Sequence, residues 1–159
     1  MTSRVCVIIP TVDNSTELAV VLEGLSNQTF QEIDVAVVGP AGDQGRQVTE
    51  DRGFRYIDDR GSRNRADACN VAIEETESEL VLFTDDDVIV PQDWVEKLER
   101  WFQRPEVSGV GGPTSHPLMN PISGRNQLML LSATNSSPLE RIVAEGRKGP
   151  SRKWSNFLE

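Results

Sequence analysis

The sequence is short of the residues that most often supply bases, nucleophiles and soft metal ligands. It holds one histidine, one tyrosine and two cysteines in 159 residues. Cys6 and Cys69 lie far apart, form no C-x-x-C pair and have no histidine beside them, so both read as small buried hydrophobes. His116, between Ser115 and Pro117, reads as a loop histidine rather than a base. Acidic residues number 25 against 16 basic ones, of which only three are lysine, and the net charge is −9. Such a balance argues against general affinity for nucleic acid, which needs a basic footprint. No apolar run approaches the ~20 residues of a membrane-spanning helix. The first ten residues, ending at Pro10, lack the pattern of a signal peptide. A cytoplasmic protein, at most peripheral to a membrane, is expected.

What is present is the patterning of one α/β domain. Arg4–Ile9 is a β-branched run stopped by Pro10, the signature of a buried strand. Asn14 with Glu17 has the spacing of a capping box, and Leu18, Val21, Leu22 and Leu25 follow at helical spacing to about Asn27. Ile33–Val38 is a second strand, closed by Gly39-Pro40, and 41–53 a loop leading into a short helix. Phe54–Ile57 is a third strand, followed by a helix to about Thr76 with Ala66, Cys69 and Ile73 on one face. Glu79–Thr84 is a fourth strand. Pro91 suits the first turn of a helix carrying the stripe Trp94, Val95, Leu98, Trp101 and Phe102. Val107–Val110 is a last short strand before Gly111-Gly112-Pro113. Beyond Thr114 the pattern weakens, with helices expected at Gln127–Leu131 and Pro138–Gly146. Alternating strands and helices predict a largely parallel sheet whose ligand edge lies at the carboxyl ends of the first, second and fourth strands.

The chemistry concentrates at one of those ends. Asp85, Asp86 and Asp87 follow an apolar strand directly. Three adjacent carboxylates repel one another unless a cation neutralises them. Oxygen-only ligands suit a hard divalent ion, Mg2+ or Mn2+, whose shell is completed by water and substrate phosphates. The alternative is an Asp-rich turn capping the helix that follows. If the chain stays extended, Asp85 and Asp87 point one way and Asp86 the other. Arg60, Arg63 and Arg65 precede the cluster, either as phosphate ligands or as partners of Asp58 and Asp59.

These motifs in this order resemble the family 2 glycosyltransferases, inverting enzymes of the GT-A fold that use nucleotide-diphosphate sugars. The resemblance rests on Val5–Thr11 with Asp13 and Glu17, then Leu25-Ser-Asn-Gln-Thr-Phe30, Asn70-Val-Ala-Ile73, and Glu79–Asp87 with Pro91 and Trp94. Gly109–Pro113 fits the strand that often follows, so the likeness covers about residues 4–113. It implies a GT-A, Rossmann-like fold with a mostly parallel central sheet flanked by helices. Residues 1–113 become the donor-binding domain and 114–159 an incomplete acceptor-side extension of it, truncated at the C-terminus. The implied donor-nucleotide site holds Pro10, Thr11, Asp13, Glu17, Gly39, Arg63, Asp85 and Asp86, and the implied metal ligands are Asp85, Asp86 and Asp87. A UDP, GDP or dTDP sugar is the expected donor and a glycan or lipid-linked molecule the acceptor. A homo-oligomer and a peripheral membrane contact stay open.

Three positions depart from the family pattern. Gly39 stands where the family carries an Asp that accepts a hydrogen bond from the base, Val12 replaces a Tyr, and Cys69 replaces the Arg of an R-N pair. No acidic pair follows Asp87 to serve as catalytic base; Glu140 and Glu145 are unsupported candidates. Arg141–Lys153 carries five basic residues, read as a solvated tail or as a patch for an anionic membrane. Two other functions therefore stand beside transfer: a non-catalytic nucleotide-sugar-binding or assembly module, and, more distantly, a Mg2+-dependent phosphohydrolase using the same D-x-D.

Overall fold

The computed structural model describes residues 4–113 and 127–132. Its strands are β1 Val5–Pro10, β2 Ile33–Gly39, β3 Arg55–Asp58, β4 Leu80–Phe83, β5 Gly109–Pro113 and β6 Gln127–Ser132. Its helices are α1 Ser15–Ser26, α2 Gly45–Glu50, α3 Arg65–Glu74 and α4 Trp94–Glu99, the last running into a 3-10 turn at Arg100–Gln103. All six strands form one sheet in the order β3-β2-β1-β4-β6-β5. The first four in that order are mutually parallel, and β6 runs antiparallel between β4 and β5.

β1 is the centre of the molecule. Its residues Val5 to Ile9 have no exposed surface, because parallel neighbours cover both edges and helices cover both faces. Strand alternation then sorts its side chains. Val5, Val7 and Ile9 join Leu18, Leu22 and Leu25 of α1 and Val95 and Leu98 of α4 in one core. Cys6 and Ile8 join Ala36, Val38, Val81 and the Ala68 and Ala72 face of α3 in the other. Alanine at those two α3 positions lets the helix lie close to the sheet. Cys6 is fully buried, whereas Cys69 is only half-buried against the second core.

Several expected details differ. The chain at Gln127–Ser132 is a strand, not a helix: pairing with the free edge of β4 overrides the helical propensity of its Leu and Met. Asn14 precedes α1 but its side chain makes no cap hydrogen bond, because the chain enters from Asp13 in a left-handed conformation (φ 54°). The buried face of α3 is Ala68 and Ala72 rather than Ala66, Cys69 and Ile73. Pro91 lies before α4, where its carbonyl accepts the Trp94 N–H at 3.1 Å in the turn leading to Asp93, the N-cap. Trp101 breaks the apolar stripe, half exposed beneath the Arg104 guanidinium. The last expected strand begins two residues later, at Gly109. The helix expected at Pro138–Gly146, the basic stretch Arg141–Lys153, His116, Glu140 and Glu145 lie outside the described residues.

Gln28 and Thr29 tie α1 to the segment that follows the Asp85–Asp87 turn. Buried Gln28 donates to the Pro91 and Gly24 carbonyls at 2.7 and 3.1 Å and accepts the Val95 N–H at 3.0 Å. The Thr29 N–H donates to the Gln92 carbonyl at 2.8 Å, and its hydroxyl to Glu96 at 2.8 Å. The segment from Pro91 to Val95 is thereby held against the core. Replacing Gln28 by Ala strands the buried Val95 N–H and removes a donor from the Pro91 and Gly24 carbonyls. A loss of about 2–3 kcal/mol is expected in equilibrium urea unfolding, and an unchanged midpoint would show that this tie carries no stability.

Candidate donor site

Chain connectivity reverses beside β1. The path β1-α1-β2-α2-β3 steps one way along the sheet, and the α3 crossover returns the chain to β4 on the other side. In open α/β sheets such a switch point leaves a crevice beyond the carboxyl ends of the strands. Here a cleft of about 610 Å3 opens at that place. The end of β1 contributes Pro10, Thr11 and Val12 with Asp13; β2 contributes Val38 and Gly39. The turn after β3 and the first turn of α3 contribute Asp59, Arg63 and Arg65, and the end of β4 contributes Asp85, Asp86 and Asp87.

The structure thus brings together seven of the eight expected donor-site residues and all three expected metal ligands. Glu17 is the exception: it stands exposed on the first turn of α1 and does not line the cleft. The three carboxylates share the cleft because the chain leaves extended conformation and turns at Asp86-Asp87, so strict strand alternation does not apply.

Each carboxylate is handled differently. Asp86 accepts the Thr11 hydroxyl at 2.6 Å, a direct link between the ends of the two strands that flank the switch point. Asp85 is ion-paired with Arg65, with both side chains a little under half exposed. Asp87 is exposed. Among the described residues, no three carboxylate, cysteine or histidine side chains converge as a ready-made metal cage. Mg2+ and Mn2+ do not need one: they are held by one or two carboxylates with water and phosphate completing the shell. The oxygen-only donor set of Asp85–Asp87, at the cleft mouth and with Asp87 uncommitted, fits such an ion in kind.

The positive groups are also sorted. Arg60 turns away and pairs with Glu75 at 2.6 Å and Glu74 at 3.6 Å. Arg63 lines the cleft and has no ion pair among the described residues. Asn64 caps α3 by accepting the Asp67 N–H at 3.0 Å, and the residues opening that helix face the cleft, adding the positive end of its dipole. Cys69 offers no compensating charge: burial, opposed in part by nearby Arg65, pushes its thiol up to about 11.

Two features escaped the sequence reading. Asp43, nine-tenths buried, accepts the Asp13 N–H and the Gly45 N–H, each at 2.6 Å, and so clamps the β1–α1 loop to the start of α2. Its signal was an aspartate two residues before a glycine that opens a short helix. The other is at Gly39. A Cβ there would lie 2.5 Å from the Thr11 carbonyl oxygen and 2.6 Å from the Tyr56 hydroxyl. The Tyr56 hydroxyl donates to the Pro40 carbonyl at 2.9 Å, and Arg46 lies over its ring at 4.5 Å. Burial, reinforced by Asp43, raises the phenol well above its usual range and keeps it a donor. The absent Asp is therefore not a gap: the space at the end of β2 is filled from β3.

Residues 6–149 match the family model described as glycosyl transferase family 2. No curated protein gives a significant match. Among solved structures, the fold is similar to the mannosyltransferase PcManGT from Pyrobaculum calidifontis, in complex with GDP-Man and Mn2+, at a TM-score of 0.69 and 20% identity over 83% of this chain and 45% of that one. S. aureus TarS 1-349 in complex with UDP gives 0.61 at 20% identity, over 83% and 47%. Glucosyl-3-phosphoglycerate synthase from Mycobacterium tuberculosis, in complex with Mn2+, UDP and glucosyl-3-phosphoglycerate, gives 0.64 at 14% identity, over 80% and 56%. The fold is GT-A, and this chain spans about half the length of the structures it matches. No helix of the described residues is long and apolar enough to cross a membrane.

Gly39→Ala tests the packing at the cleft floor. Forcing a methyl against a backbone oxygen is expected to lower unfolding free energy by about 1–3 kcal/mol, read by thermal or urea melts. Wild-type stability in that variant would show that the ends of β1 and β2 separate freely.

Proposed function

This chain belongs to glycosyl transferase family 2, and from that premise we propose that it binds a nucleotide-diphospho-sugar in the cleft and transfers the sugar, with inversion, to an acceptor hydroxyl. The observation that carries the reading is the arrangement at the switch point. Three carboxylates at the end of β4, tied to β1 through the Thr11–Asp86 hydrogen bond, face Arg63, Arg65 and the opening of α3 across one cleft.

In this reading the residues at the end of β1, Pro10 to Asp13, hold the nucleoside, and the exposed Val12 side chain gives the base an apolar surface. Asp85, Asp86 and Asp87 would hold a divalent ion, Mg2+ or Mn2+. When bound, such an ion supplies a positive charge that offsets the charge gathering on the departing diphosphate. Arg63 and Arg65 add guanidinium donors suited to phosphate oxygens. Arg65 changes partners to do so, leaving Asp85; the exposed pair is worth at most about 1 kcal/mol, so the exchange costs little. Transfer forms a bond from the acceptor oxygen to the anomeric carbon as the bond to the diphosphate breaks. The acceptor proton passes to a carboxylate base, and no described residue is assigned that role. A glycan or lipid-linked hydroxyl is the class of acceptor. Residues 114–159 would contribute to the acceptor side.

Calorimetric titration with UDP, GDP and dTDP, each in Mn2+ and in EDTA, tests this directly. Metal-dependent binding of at least one nucleotide is expected. Asp87→Asn, whose exposed side chain is not needed for folding, is expected to weaken that binding by roughly tenfold or more, above ~1.4 kcal/mol. Asp85→Asn should weaken it likewise. Full retention in both variants would remove the carboxylates from the metal site. Binding with no transfer or donor hydrolysis would favour a non-catalytic module.

A further inference from the structure

We propose that Asp59 recognises the base of the donor nucleotide and selects bases that carry a ring N–H; this rests on the donor-site reading above. The end of β2 offers no side-chain acceptor. Gly39 has no room for one, and the Pro40 carbonyl is engaged by the Tyr56 hydroxyl. The acceptor comes instead from the next strand. The Asp59 N–H donates to the Gly39 carbonyl at 2.9 Å, which fixes Asp59 beside the position that the missing side chain would have occupied.

Its side chain is unusual among the carboxylates of the cleft. Asp59 is 8% exposed, whereas Asp13 and Asp87 are exposed and Asp85 and Asp86 half-buried. One of its oxygens accepts the Gly61 N–H at 2.9 Å, which holds the turn around Gly61 (φ 72°), and the other oxygen has no partner among the described residues. That oxygen is not sealed in the core, and since Asp59 lines the cleft, the cleft is the side from which a donor can come. Asp43, equally buried, differs in having both oxygens satisfied by backbone N–H groups and in standing off the cleft. Asp58 is exposed, accepts the Arg60 N–H at 2.8 Å and also stands off the cleft.

An ionised carboxylate can only accept. It complements the ring N–H of uracil, thymine or guanine and opposes the ring-nitrogen lone pair that cytosine and adenine present at the equivalent edge. Asp59 thus supplies selectivity that a glycine at the end of β2 cannot.

The test is calorimetric titration of the wild-type chain with UDP, dTDP, GDP, CDP and ADP in Mn2+, repeated with Asp59→Asn, Asp59→Ala and Asp58→Asn. Wild type is expected to favour at least one of UDP, dTDP and GDP over CDP and ADP by about tenfold or more. Asp59→Asn keeps an amide oxygen for Gly61 but turns the free position into a donor, so the preference should collapse and CDP binding rise. Asp59→Ala should lose the preference without that gain, and provides the readout if the Asn variant folds poorly. Asp58→Asn should keep it. Uniform weakening across the five nucleotides in the Asp59 variants, an unchanged preference, or a wild type indifferent to the base would each overturn the role of Asp59 and leave the donor site standing. A wild type that binds none of the five in Mn2+ would overturn the donor-site reading, and this inference with it.

Discussion

The site depends on the burial of β1. A strand with no exposed surface from Val5 to Ile9 has to be covered on both faces and paired on both edges. Parallel partners on both edges require the chain to leave in one direction and return in the other, and that reversal opens the crevice. The β1–β2 ladder ends with the Thr11 N–H on the Val38 carbonyl at 2.9 Å, and the Thr11 side chain and the residues after it are available to the cleft. The Thr11 hydroxyl then reaches across to Asp86, making the two walls of the crevice one unit. Hydrophobic burial sets where the walls stand, and a charged hydrogen bond sets how their ends are oriented.

The acidity of the cleft follows from the same economy. Asp13, Asp59 and Asp85 to Asp87 bring five carboxylates to a space faced by two guanidinium groups, and this imbalance is incompatible with a bare diphosphate. The protein relieves part of it internally. Asp86 spends an oxygen on Thr11, Asp85 takes Arg65, and Asp59 takes a backbone N–H. The first two are the weaker kinds of compensation for partly exposed groups, and an external cation can displace them. The cleft is left with more negative charge than its own residues neutralise.

Much of this was legible because it rests on local rules. The four parallel strands and their helices were written in apolar runs and turn residues, and the Asp85–Asp87 cluster was visible because three carboxylates after an apolar strand need a reason. The illegible parts depend on contacts between distant segments. Gln127–Ser132 has helix-forming residues, and only the open edge of β4 makes it a strand. Asn14 has the spacing of a capping box, and only the clamp from Asp43 onto Asp13, thirty residues apart, forces the entry angle that leaves it unused. Gln28 sat in a recognisable motif, yet its work is to hold Pro91 and Val95, which no spacing in the sequence announces.

Gly39 shows how a departure in sequence acquires meaning only in three dimensions. Read along the chain, it is a missing carboxylate and argues for lost nucleotide recognition. In the fold, the position is pressed against the Thr11 carbonyl and the Tyr56 hydroxyl, so no carboxylate could stand there without displacing both. Glycine and tyrosine at these two places are one solution to packing the ends of β1, β2 and β3. The register that pairs Gly39 with Asp58 puts Asp59 immediately beyond, where its N–H caps the Gly39 carbonyl. The carboxylate absent from the end of β2 thus has a buried counterpart just past the end of β3, one strand spacing (~4.8 Å) across the sheet. The sheet edge keeps a buried carboxylate, carried by the turn after β3 where β2 has none.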